Sequence, residues 1–103
     1  MGPLVQIINQ VFEIQHKLKE LDKADSFERN FNRLAHIFKE SGFIMHDPTG
    51  ENYVESRTDC EASITGDVKK PMKIAKTLKP IIYQSEGSQL QLLQKAVVLV
   101  SNS

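Results

Sequence analysis

With 103 residues, 40% of them hydrophobic and 25% charged, the chain has room for one domain or for a helical stem carrying one small head. Thirteen basic residues balance thirteen acidic ones, so no net field draws it to nucleic acid or to an anionic membrane surface. A single cysteine, Cys60, excludes an internal disulfide framework and favours a reducing compartment.

The opening "MGPLVQIINQVF" lacks the basic region and unbroken apolar core of a secretory signal, and Gln6 stands where a myristoylation pattern needs Ser or Thr. The longest apolar runs, such as "AVVLV" (96–100), are too short to cross a bilayer. A cytoplasmic protein with no membrane role is expected. From Leu4 the apolar positions are Leu4, Ile7, Val11, Ile14, Leu18 and Leu21, alternating three and four residues apart. That is a heptad seam on a helix. Val5, Ile8 and Phe12 form a second stripe beside it, and Pro3 suits the first turn. One seam serves a two-stranded coil, whereas this wider face fits a helix folded onto its own domain or one in a bundle that includes another chain.

In "DKADSFERNF" (22–31) the helix breaks, with Asp25 or Ser26 as the candidate cap of the next one. Phe27, Phe31, Leu34 and Phe38 then recur at helical spacing up to Gly42, which reads as a C-cap. The short connection predicts an antiparallel helical hairpin. Two such hairpins from two chains would make a four-helix bundle, with Leu4, Ile7, Val11, Ile14, Leu18, Leu21, Phe27, Phe31, Leu34 and Phe38 as the dimerisation residues. The alternative is that the C-terminal sheet covers these apolar faces within one chain.

After Gly42 the period shortens. "FIMH" (43–46) reads as a strand, "DPTGEN" (47–52) as a turn and "YVES" (53–56) as a following strand. "DCEASITG" (59–66) sets Cys60, Ala62 and Ile64 on one face, so Cys60 reads as a small buried thiol. Pro71 and Pro80 argue against a long central strand in "KKPMKIAKTLKPIIYQ" (69–84). "SEGS" (85–88) joins a hairpin, and "KAVVLV" (95–100) reads as a central strand buried on both faces. The expected fold class is α+β: a helical dimerisation stem over 1–42, then a small, mostly antiparallel β domain over 43–103 that forms the partner-binding head.

No catalytic constellation, metal-ligand spacing or phosphate-cradling glycine loop is found, so no enzyme, metal or cofactor is expected. One charge pattern is distinct. Residues 47–67 hold six acids around one base, Arg57, while residues 69–79 hold five lysines and no acid. Opposite charges paired across strands, or lysines guarding a sheet edge, would explain it; a docking face for a charged partner is the functional alternative. Nucleic acid is disfavoured, because arginine is absent there and Tyr83 is the one aromatic nearby.

Three segments resemble the GrpE family, the nucleotide exchange factors of DnaK-type chaperones. "LAHIFKESGFIMHDPTGENY" (34–53) looks like the family's helix end, Gly, strand and glycine loop. "DCEASITG" looks like its His-Glu-Ala segment, with Glu61 and Ala62 in place and Cys60 where His is usual, and "LLQKAVVLVS" (92–101) looks like its closing strand. The family's Gly-Tyr pair is replaced near Ile81 and Ile82, and its last-strand Arg by Gln94. The resemblance implies a homodimeric co-chaperone without cofactors. It would bind the chaperone's nucleotide-binding domain and promote ADP release, with partner contacts at Gly42, Leu78, Lys79 and Gln94. The competing expectation is a dimeric interaction module of similar fold with a different partner.

Overall fold

A computed structural model describes residues 2–67 and 69–102. Pro3 opens an 18-residue helix, α1 (Pro3–Glu20). It ends where Asp22 takes a left-handed φ of 57° and the Lys23 N–H donates to the Leu18 carbonyl at 2.8 Å. A short 3-10 turn (Ala24–Phe27) leads into α2 (Glu28–Glu40). Neither Asp25 nor Ser26 caps it through a side chain; the turn's own backbone, with Glu28 N–H on Asp25 O, supplies the bonds instead. Gly42, at φ 90°, ends α2, a backbone state that costs glycine nothing.

Among the described residues seven strands follow: β1 (Phe43–His46), β2 (Asn52–Tyr53), β3 (Cys60–Ile64), β4 (Met72–Lys79), β5 (Ile81–Glu86), β6 (Gln89–Gln94) and β7 (Ala96–Ser101). They form a three-stranded antiparallel sheet, β1-β5-β6, and a four-stranded sheet, β2-β4-β7-β3, in which β3 and β7 run parallel. One long hairpin belongs to both. Its register runs from Glu86↔Gln89 at the turn to Ile82↔Gln94, then resumes at Lys79↔Val97 and continues to Lys73↔Ser101. Gly87, at φ 60°, supplies the positive φ that a two-residue loop with Ser88 requires. Pro80 and Lys95 sit at the bend between the sheets, where a missing N–H breaks no ladder.

Three strand expectations need correction. β4 is a long strand, paired along its length with β7 and at Met72 and Lys73 with β2, because Pro71 and Pro80 stand just outside its two ends. β7 is central, but it is buried on one face only: Ala96, Val98 and Val100 are inside, while Leu99 is 40% exposed on the other side. The second expected strand is reduced to Asn52–Tyr53.

The apolar core has two parts. Cys60, Met72, Ile74, Ile81, Ala96, Val98 and Val100 cluster on the inner face of the four-stranded sheet. Val5, Ile8, Phe38 and Ile82 form the other, with Leu4, Val11, Leu34, Phe43, Met45 and Leu93 packed against it. Thus both helices lie on one face of the three-stranded sheet, and this packing crosses the joint at Gly42.

That arrangement overturns the expected antiparallel helical hairpin as half of a four-helix bundle. α1 and the 13-residue α2 are joined by a short linker and touch each other less than α2 touches β1. The physical reason is the apolar face that β1, β5 and β6 present within the same chain. Burying a helix there carries no cost of association between molecules. The second stripe, Val5, Ile8 and Phe12, is the one that is buried, while the heptad seam divides: Leu4, Val11 and Leu18 are half-buried and Ile7, Ile14 and Leu21 are exposed.

Candidate functional site

The outer face of the four-stranded sheet is exposed at Lys73, Lys76, Lys79 and Leu99, and the last turns of α1 flank it at residues 76–78. Along β4, Lys73, Lys76 and Lys79 are three residues apart, a spacing that in a regular strand would put Lys76 on the opposite face from the other two. Two register shifts change this. Lys73 pairs with Ser101, Lys76 with Leu99 and Lys79 with Val97, so Ala75 and Leu78 are extra residues. Each bulge resets the alternation by one, and all three lysines share the outer face with Val97 and Leu99. Leu78, 48% exposed, lies within the second bulge beside Lys79. Glu61 and Ser63 of β3 continue the face on the far side of β7. Lys76 reaches Glu20 of α1 at 3.7 Å, with both side chains more than half exposed.

Of the expected partner-binding residues, Leu78 and Lys79 therefore stand together on this surface. Gln94 is near them at the bend, where its Nε2 donates to the Pro80 carbonyl at 2.9 Å. Its amide is also closed on Asn9 of α1 by two reciprocal bonds of 2.9 and 2.8 Å, so it ties helix to hairpin. Gly42 is at the other end of the three-stranded sheet, accepting from Ser85 N–H at 2.8 Å. By strand rise that is roughly 13 Å from Ile81 at the bend.

The expected dimerisation residues divide in the same way. Phe38 is buried inside the chain, and Leu4, Val11 and Leu34 pack against the same cluster. Leu18 and Phe31 are half-buried. Ile7, Ile14, Leu21 and Phe27 remain exposed, the first three at seven-residue spacing along α1 and its C-cap.

Charged groups gather at two further places. Arg57 is the hub of the first: its Nε donates to Asp59 at 2.6 Å, Nη2 to Glu51 at 2.7 Å and Nη1 to the Asn52 carbonyl at 3.0 Å. His46 bonds the other oxygen of Glu51. The bond to Arg57 is the main cause that holds the Asp59 carboxyl below the usual range, against partial burial, and Glu51 is lowered by Arg57 and then His46. Arg57 is raised in turn, first by Asp59. With its guanidinium edges occupied, Arg57 clamps the start of β3 to the end of the β1–β2 loop and has the character of a structural strut. Beside it, burial pushes the Cys60 thiol up to about 11, against the pull of Arg57, which leaves it protonated and a poor nucleophile at neutral pH.

The second place joins α1 to the β1–β2 loop. His16 Nε2 lies 3.2 Å from Asp47, and its Nδ1 is 3.0 Å from the Phe12 carbonyl. Asp47 also accepts from the Thr49 N–H at 3.0 Å and from its hydroxyl at 2.7 Å, while Thr49 meets the buried Thr77 hydroxyl at 2.8 Å. Burial would raise the Asp47 carboxyl, but the bonds from Thr49 and Thr77 together with His16 outweigh it and lower it.

Among the described residues, no group of three or more His, Cys, Asp or Glu is placed to hold a metal ion, and no helix is long and apolar enough to cross a membrane. Sequence reasoning found the lysine run but not its alignment, which depends on bulges invisible to periodicity. It also passed over the Arg57 hub, although one base among six acids was a usable signal. No family model matches the chain, and no curated protein or solved structure matches it.

Proposed function

We propose that the chain is a cytoplasmic, GrpE-like co-chaperone that binds the nucleotide-binding domain of a DnaK-type chaperone and promotes ADP release. The observation that carries this reading is the exposed face of the four-stranded sheet, where Lys79, with Leu78 in the bulge before it, stands beside Val97. Those two positions are ones that the family resemblance assigns to chaperone contact. An exchange factor acts by binding the open state of its partner better than the closed one, which calls for a firm surface and not for reacting groups. The hairpin shared by both sheets supports such a surface. The exposed stripe of Ile7, Ile14 and Leu21 supports a homodimer in which α1 meets a second copy.

The test is release of a fluorescent ADP analogue from a DnaK-type chaperone. The native chain should accelerate release at micromolar concentration, and Leu78→Asp should abolish the effect without unfolding the protein. A native chain that leaves the release rate unchanged rejects exchange activity. A second reading, an interaction module with a different partner, is favoured by Gln94, whose amide is engaged by Asn9 and Pro80 within the chain. Repeated recovery of another protein, with no chaperone, in pull-downs through the open face would select it.

A further inference from the structure

We infer that the open face of the four-stranded sheet receives an extended, acidic segment of a partner protein, whose carboxylates on alternate residues line up along Lys73, Lys76 and Lys79. This rests on the reading of the face as protein-binding, and not on exchange activity.

The spacing argues for an extended occupant. The residues that pair with the three lysines, Ser101, Leu99 and Val97, are successive same-face positions of β7. The lysines are therefore about 6.8 Å apart, the same-face repeat of any extended chain. Two bulges are needed to achieve this from a three-residue sequence spacing. β2 covers the edge of β4 only at Met72 and Lys73, so a guard against edge pairing would account for Lys76 and Lys79 but not for Lys73 or for the common face of the row. Three like charges in a line repel one another. Among the described residues, Lys76 is the one of the three with an ion pair, to Glu20 at 3.7 Å and solvent-exposed, while Glu61 lies one strand further on, across Val97 from Lys79.

The composition argues for a protein. Leu78, Val97 and Leu99 flank the lysines and give apolar contact to whatever lies between the carboxylates. The β4 and β7 positions of this face carry no aromatic side chain on which a nucleic-acid base would stack, and no arginine.

The experiment measures binding of labelled peptides of about ten residues, made of Asp, Thr and Ser, by fluorescence anisotropy at low salt. One peptide places Asp at alternate positions; its isomer, of equal charge, places Asp at every third. The alternating peptide should bind roughly fourfold more tightly, because its isomer forfeits two of three exposed ion pairs worth about a factor of two each. Its affinity should fall as salt rises, and the K73Q/K76Q/K79Q variant should weaken it roughly eightfold. All three substitutions are at exposed positions, and a thermal melt of that variant should match the native one. Equal affinity for the two isomers overturns the registered strand. Tighter binding of a single-stranded RNA of the same charge than of either peptide overturns the choice of partner. If neither peptide binds while ADP release is still accelerated, the inference fails and the exchange reading stands; if the alternating peptide binds and release is unchanged, the reverse holds.

Discussion

Ile7 and Ile8 are neighbours of identical chemistry on α1, yet the first is 51% exposed and the second is fully buried. Replacing each by alanine in turn tests which stripe of the helix packs inside the chain. Ile8→Ala removes three carbon groups from a closed cluster, a transfer loss of about 2.4 kcal/mol at ~0.8 kcal/mol per group. The cavity left between Val5, Phe38 and Ile82 raises the cost to about 3–4 kcal/mol. Ile7→Ala loses about half of that transfer energy, opens no cavity and gains about 0.4 kcal/mol of helix propensity, so its cost stays below about 1 kcal/mol. Urea unfolding at low micromolar concentration measures both. Helical circular dichroism and the fluorescence of Tyr53 and Tyr83, which pack against the sheet core, should report one midpoint in every variant, because adjacent Ile81 and Ile82 of β5 join the sheet core to the cluster that holds the helices. An Ile7→Ala cost equal to or larger than that of Ile8→Ala refutes the packing. Separate midpoints for the two signals refute the single cooperative unit.

Asp47, Glu51 and Asp59 are all lowered in the folded chain, so each contributes stability above its ordinary value that is lost as pH falls through the folded one. Stability should therefore decline as pH drops below about 4, and Asp47→Asn should flatten that decline; an unchanged acid profile in the variant refutes the Asp47 contribution. Cys60, buried and with its thiol pushed up to about 11, should react with a thiol reagent at pH 8 far more slowly in the native chain than in urea, and equal rates would contradict its burial. Arg57→Lys keeps the charge and loses the fork that spans Asp59, Glu51 and the Asn52 carbonyl, at a cost of roughly 2 kcal/mol in chemical denaturation. A cost within error of zero would mean that the fork contributes nothing to holding β3.

Several features were readable from local pattern. The apolar repeat from Leu4 marked α1, Gly42 marked the end of α2, and the alternation of Cys60, Ala62 and Ile64 marked one face of β3. The turn before "QLQLLQ" was placed within two residues of Gly87, which has the positive φ a tight hairpin needs. The candidate face was half legible. Its lysines stood out as a charge run and Leu78 and Lys79 came from family resemblance, but nothing in the spacing showed that Lys73, Lys76 and Lys79 face the same way. Of the residues expected to serve dimerisation, Phe38, Leu4, Val11 and Leu34 pack inside the chain, which the helical spacing did not show.

Backbone preference and period act between residues a few positions apart, and so the helices, the glycine joint and the strand-rich second half follow from the amino-acid order. Which of two apolar stripes on α1 turns inward depends on what surface it meets, and that surface comes from β5 and β6, some eighty residues away. The same is true of the open face. β4 alone would display its lysines on both sides; pairing with β7, and the two extra residues that pairing expels, brings them to one. Burial and register are properties of facing partners, and only the folded chain brings those partners together.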